Sequence, residues 1–189
     1  MNKVHTQKSL FKTQNDEKLN YRSVFAYRVS MVKEKKIKFD GGEVSNQRKA
    51  AEVIRNTINT LGQNDREHFV VLMLNVKTQI IGINIVSVGS ASSAQIKPVE
   101  TFKPAIMMSA AGIVMGHNHP SGNTEPSEQD RAVTQRFAAA AELLQIQVHD
   151  HIIVSSDSSN FYSFSEHGDM RMIRENIRNT MKNLNSMNA

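Results

Sequence analysis

The sequence predicts a mixed α/β domain, and three observations point there. Apolar residues recur at three- and four-residue steps over Ser45–Leu61, the period of an amphipathic helix. Two apolar runs of strand length, Phe69–Leu74 and Ile80–Val88, flank a turn at Asn75–Gln79, as in a hairpin. Beyond them, helical and strand-like segments alternate as far as Phe164.

Met1–Asn20 is polar and is expected to be loosely attached or disordered. Ser23–Val32 carries Val24, Ala26, Tyr27, Val29 and Val32 and is expected to form an irregular strand, with a turn at Asp40-Gly41-Gly42. In the helix Ser45–Leu61 the apolar stripe is Ala50, Val53, Ile54, Ile58 and Leu61, and Gly62 stops it. After the hairpin, Gly89–Ser93 reads as loop. Val99–Ala110 reads as a helix in which Pro104 is tolerated only in the first turn. Gly112–Gly116 is a buried strand that opens into His117-Asn118-His119-Pro120 and a Ser-Gly loop. Ser127–Leu144 is helical, with Val133, Phe137, Ala140, Ala141 and Leu144 on its apolar face. Val148–Val154 and Phe161–Phe164 complete the strands. The resulting division is a basic, partly disordered N-terminal arm (1–44), an α/β domain (45–167) and a basic C-terminal tail or helix (168–189).

Composition excludes several classes. The chain of 189 residues contains no cysteine, which removes disulfide frameworks, thiolate metal sites and cysteine nucleophiles. No run of about 18 apolar residues occurs, so no membrane helix is expected. The polar N-terminus lacks the apolar core of a secretory signal, and a soluble cytoplasmic protein is the expectation. Lys and Arg outnumber Asp and Glu 11 to 5 over residues 1–48, but the acids lead 11 to 8 over 49–167. Positive charge for a phosphate backbone would therefore have to come from the arms, and DNA binding is not the favoured reading.

The chemistry concentrates near residue 120. On a strand, residues i and i+2 face the same side, so His117 and His119 can present two imidazoles to one metal ion. Asp130 follows in the first turn of the next helix. Two neutral imidazoles and one carboxylate match a catalytic zinc set, which leaves a fourth position open for water. Asp130 also completes a Ser127-x-x-Asp130 capping pattern. A metal-ligating Asp130 is not expected to reach back to the cap as well. A second HxH pair, His149/His151, has no third ligand at matching spacing. On strand 148–154, alternation predicts Val148, Asp150, Ile152 and Val154 on one face, with His149, His151 and Ile153 on the other. Asp150 is expected to be buried and hydrogen-bonded, or else close to the cleft, and to orient a nearby group rather than serve a second metal site. Ser121 has no base and orienting acid around it to make it a nucleophile.

The run His117-Asn-His-Pro-Ser-Gly122, followed by Pro126-Ser-Glu-Gln-Asp130, resembles the JAMM (MPN+/JAB) metalloprotease motif. The Asn between the histidines and the Ser-Gly after the proline are similar to the bacterial RadC family. Glu67 ahead of Phe69–Leu74, Phe102–Ala105 and Asp150–Val154 match as well, so the resemblance covers roughly residues 60–165. It implies a JAB-type α/β fold, a mixed sheet flanked by helices with a cytidine-deaminase-like layout. It further implies one zinc ion on His117, His119 and Asp130, a water activated by a glutamate, and Ser127 assisting the tetrahedral intermediate. RadC-type chains often carry an N-terminal helix-hairpin-helix region, and residues 1–45 show no such pattern.

For the glutamate, Glu67 at the entry of a buried strand is preferred to Glu100, whose place at a helix start suits a dipole partner. The expected function is zinc-dependent hydrolysis of peptide or isopeptide amide bonds, with a protein or peptide as substrate. The alternative is a non-catalytic, DNA-associated interaction module acting through the basic arms. A two-metal nuclease ranks last, because the motif holds no extra carboxylates for a second ion. The natural substrate and the oligomeric state are not legible.

Overall fold

The computed structural model describes residues 30–34, 36–39, 43–62, 65–89, 96–156 and 158–187. The fold below is that of the unit Met31–Ala189. The polar N-terminal segment, most of the expected strand Ser23–Val32, the turn at 40–42 and most of the loop 89–93 lie outside the described residues. The end of that expected strand, residues 30–32, is in no regular element.

Helix α1 (Gln47–Leu61) starts where Asn46 accepts the backbone N–H of Lys49 at 2.8 Å. It ends at Gly62, whose φ of 72° and ψ of −178° suit glycine almost alone. The hairpin pairs β1 (Glu67–Leu74) with β2 (Ile80–Gly89). Helix α2 spans Pro98–Met107, β3 Gly112–His119, α3 Glu128–Leu144, β4 Gln147–Ser155, β5 Phe161–Ser163 and α4 Asp169–Met187. The sheet order is β2-β1-β3-β4-β5, antiparallel throughout except for the parallel pair β3/β4 that α3 connects. The fold is thus mixed α/β, with a mixed sheet flanked by helices as expected; among the described residues the sheet has five strands and the helices number four.

Alternation along the strands divides the core. Phe69, Val71, Met73, Ile113, Met115 and Ile153 pack with α2, α3 and α4 through Phe102, Phe137 and Met170. Val70, Leu72, Val114 and Ile152 pack on the other side against Ile54 and Ile58 of α1. That second contact is close at Gly116, where a Cβ would lie 2.4 Å from Ile54 Cδ1. Among the described residues no helix is long and apolar enough to cross a membrane.

Two local expectations are corrected. Pro104 is the seventh residue of α2, not in its first turn, which Pro98 occupies instead. The missing N–H deprives only the carbonyl of Glu100 of its helical partner, and Glu100 is an exposed first-turn residue; the helix closes with Met108 N–H on Pro104 O at 3.0 Å. On β4, pairing slips between Ile113/Val148 and Val114/Asp150, leaving His149 as the extra residue of a bulge. Val148 therefore joins Ile153 in the α3-side core, while His149 lines a cavity with Asp150 and Ile152 on the α1 side. The alternation predicted across 148–150 is broken there.

Candidate metal centre

Strand β3 continues three residues beyond its apolar part, so His117 and His119 are strand residues on the α3 side of the sheet. His117 is buried and lies over Phe69 of β1, ring centroids 6.1 Å apart and planes 15° from parallel. The parallel crossover brings the first turn of α3, and with it Asp130, back to the carboxyl end of β3. Open α/β sheets generally site their ligands at this end of their strands.

The three side chains predicted as metal ligands converge. His117 Nε2 lies 3.0 Å from His119 Nε2 and 3.1 Å from Asp130 Oδ1, and His119 Nε2 lies 3.5 Å from Asp130 Oδ2. Each offers a ligand atom within 4.8 Å of the others. The two Nδ1 atoms are engaged elsewhere, His119 with Asn123 O at 2.7 Å and His117 with His151 Nε2 at 2.9 Å. Both Nε2 atoms are thereby left facing the carboxylate. Two imidazole nitrogens and one carboxylate oxygen make a donor set that fits Zn²⁺ with a position to spare.

Charge follows the geometry. Burial pushes the Asp130 carboxyl up, but hydrogen bonds from His117, His119 and Ser127, with the charge of His117, outweigh it. Asp130 lies well below the usual carboxylate range. His119 is raised, chiefly by its hydrogen bond to Asp130 and against burial, with Asn123 O and the charges of Asp130 and Glu67 adding. His151 is fully buried and is held well below the ordinary imidazole value by that burial.

Asp130 also caps α3 while it faces both imidazoles. Its Oδ2 accepts from Ser127 N and Ser127 Oγ, while its Oδ1 is directed to His117. A carboxylate has two oxygens and about four acceptor positions, so the tasks are shared between them. Ser127 is exposed, and its hydroxyl is turned to Asp130.

Glu67 opens β1 and is half-buried. The β1/β3 register ends with Phe69 paired to His117; Glu67 lies two residues before Phe69 and His119 two residues after His117, and the charge of Glu67 is felt by His119. Glu100 is exposed in the first turn of α2. Three contributors were not assigned to this centre from sequence. His151 belongs to it, behind His117, whereas its HxH partner His149 lies on the other side of the sheet. Thr134 bonds both His151 Nδ1, at 2.7 Å, and Asp130 O, at 2.6 Å. Asn118 ties β3 to the start of β1. A polar Thr one turn after Asp130, within a helix packed on the sheet, was the available signal for Thr134. Asp150, as expected, is buried and bonded, accepting from Ser163 Oγ and from the backbone N–H groups of Ser165 and His151.

Fold and site together define a JAB-type α/β domain with a candidate His-His-Asp metal centre, the fold of the JAMM-type metallohydrolases. The model of the RadC-like JAB domain matches residues 44–169, and the chain belongs to the RadC family. It is 51% identical over 104 residues to a UPF0758 protein of Rubrobacter xylanophilus, a match covering 55% of this chain and 44% of that one. It is 43% identical over 104 residues to the UPF0758 protein YfjY of Escherichia coli strain K12, covering 55% of this chain and 64% of that one. The chain thus spans about half the length of the curated relatives it matches.

Proposed function

We propose that this chain is a zinc-dependent metallohydrolase of JAMM type that cleaves peptide or isopeptide amide bonds. The observation that carries the reading is the convergence of His117, His119 and Asp130 within 4.8 Å, with the charge of Glu67 felt by His119. When bound there, Zn²⁺ supplies Lewis-acid polarisation of a carbonyl and a lowered pKa for water. His117 and His119 would hold it through Nε2, and Asp130 through its carboxylate.

Glu67 is the general base in this reading. It takes a proton from the attacking water and returns it to the leaving nitrogen as the C–O bond forms and the C–N bond breaks. Its support is its place two residues before Phe69, the strand partner of His117, and its charge, which is felt by His119. The exposed position of Glu100 suits a partner for the α2 dipole better. Ser127 donates a hydrogen bond to the developing oxyanion by turning its hydroxyl away from Asp130 Oδ2, the backbone N–H of Ser127 remaining on that oxygen.

The test is Glu67→Gln in the full chain against a panel of peptide and isopeptide substrates. The variant is expected to keep its zinc and to lose hydrolysis by at least about 100-fold. A variant as active as the wild type removes Glu67 from the role. A zinc-loaded wild type inert across the panel, with arm-dependent and salt-sensitive DNA binding, favours the non-catalytic DNA-associated reading instead.

A further inference from the structure

Behind the metal centre a second set of polar side chains is buried in the α3-side core. His151 is fully buried, packed between Phe69 at 5.7 Å and Phe164 at 5.1 Å between ring centroids. Its two ring nitrogens contact only His117 and Thr134 among the described residues. A cation in that position would have no carboxylate on its ring, so the imidazole is neutral and carries one proton.

The position of that proton follows from Thr134. A carbonyl oxygen only accepts, so the 2.6 Å contact between Thr134 Oγ1 and Asp130 O uses the single hydroxyl proton. Toward His151 Nδ1, 2.7 Å away, Thr134 can then only accept, which puts the His151 proton on Nδ1. His151 Nε2 is left with its lone pair and accepts from His117 Nδ1 at 2.9 Å. His117 Nδ1 therefore carries a proton. A neutral His117, the form a metal ligand takes, then has its lone pair on Nε2, the atom that faces Asp130 and His119, whereas without metal a second proton on Nε2 is the one given to Asp130. The circuit closes on itself, from one ligand residue, His117, through His151 and Thr134 to the backbone of another, Asp130.

We propose that His151 and Thr134 are positioning residues for the metal centre, a neutral relay that holds His117 in its metal-binding tautomer and thereby sets the affinity for zinc. The proposal rests on the metal-centre reading above and deepens it. Metal-ligating histidines generally donate their second N–H to an outer partner, and loss of that partner weakens metal binding about 10- to 100-fold. Here the partner is a second neutral imidazole, which accepts only while Thr134 keeps its other nitrogen protonated. Thr134→Val removes that constraint with little change in shape. His151 is then free to donate from Nε2, which forces the His117 proton onto the nitrogen the metal needs.

The experiment compares full-length wild type, T134V, T134S, H151F and H151Q. Zn²⁺ affinity is read by chelator competition, and imidazole tautomers in the metal-free protein by long-range ¹H–¹⁵N correlation. Expected are a proton on Nδ1 of both His117 and His151 in the wild type, and zinc affinities weakened about 10- to 100-fold in T134V and H151F. T134S, and H151Q through its side-chain carbonyl, should recover most of the affinity. Should H151F fail to fold, T134V carries the test. Wild-type zinc affinity in T134V, or a His117 without a proton on Nδ1 in the wild type, overturns the relay while leaving the metal centre standing. A loss of affinity in T134V that T134S does not recover marks a merely structural role and also overturns it. A wild type that binds no zinc overturns the metal centre and the relay together.

Discussion

Asn118 accepts the backbone N–H of His68 at 2.8 Å through its side-chain oxygen, fifty residues away in sequence and one strand away in space. Its amide nitrogen donates to Arg66 O at 2.9 Å and to Ser156 Oγ at 3.0 Å. The residue between the two histidines of the motif thus clamps both neighbours of Glu67. Asn118 is fully buried; its bond from His68 is buried as well, and those to Arg66 and Ser156 are partly buried. Asn118→Ala should cost about 1–3 kcal/mol of stability, the usual penalty for stranding buried polar groups. It should also lower hydrolysis beyond what lost folded protein explains, because the start of β1 is no longer tied. Urea unfolding beside activity per folded molecule checks both.

Ser127 has two tasks in this account, capping α3 and assisting the reaction. Ser127→Ala removes the acceptor of Asp130 N–H and should cost about 1 kcal/mol of stability. The backbone N–H of Ser127 remains on Asp130 Oδ2, so zinc content should stay near that of the wild type while turnover falls. A variant with unchanged turnover would leave Ser127 with the cap alone.

Gly116 is the contact point of β3 with α1. Gly116→Ala drives a Cβ to 2.4 Å from Ile54 Cδ1 and should destabilise by about 1–3 kcal/mol, the range for overpacked cores. Ile54→Ala in the same chain should recover part of that loss. A double-mutant cycle by thermal or urea unfolding reads the coupling.

Asp150 sets a pH dependence of stability. Burial raises its carboxyl to about 6 in the fold, against hydrogen bonds from Ser163, Ser165 and His151 that favour the charged form. Its folded value exceeds the unfolded value of about 3.9. The contribution is therefore fully present below pH of about 4 and is lost as pH rises through about 6, by roughly 3 kcal/mol at most. Asp130, held far below its ordinary value, works in the opposite sense, contributing above pH of about 4 and losing that contribution on acidification. Asp150→Asn mimics the protonated form and should gain on the wild type as pH rises from 4 to 7 in urea unfolding. A stability difference independent of pH would contradict this.

Local patterns carried much of this from the sequence. The stripe Ala50, Val53, Ile54 and Ile58 is the buried face of α1, and Gly62 ends the helix as its φ requires. The two apolar runs around Asn75–Gln79 form the hairpin, and the HxH-plus-Asp spacing brings its three side chains together. What could not be read depends on contacts between elements. The bulge that sends His149 and His151 to different surroundings arises from the pairing of β4 with β3, which no pattern within 148–154 encodes. The second task of Asp130 needed the separation of its two oxygens in space. His151 joins the centre only because the α3 crossover lays β4 beside β3.

The central claim is that His117, His119 and Asp130 hold one zinc ion, and elemental analysis of the purified chain beside its His117→Ala variant tests it most directly. The account predicts one zinc per wild-type chain and a large loss in the variant at unchanged secondary structure. Equal zinc content in the two proteins, or a wild type that takes up none when zinc is supplied, would contradict it.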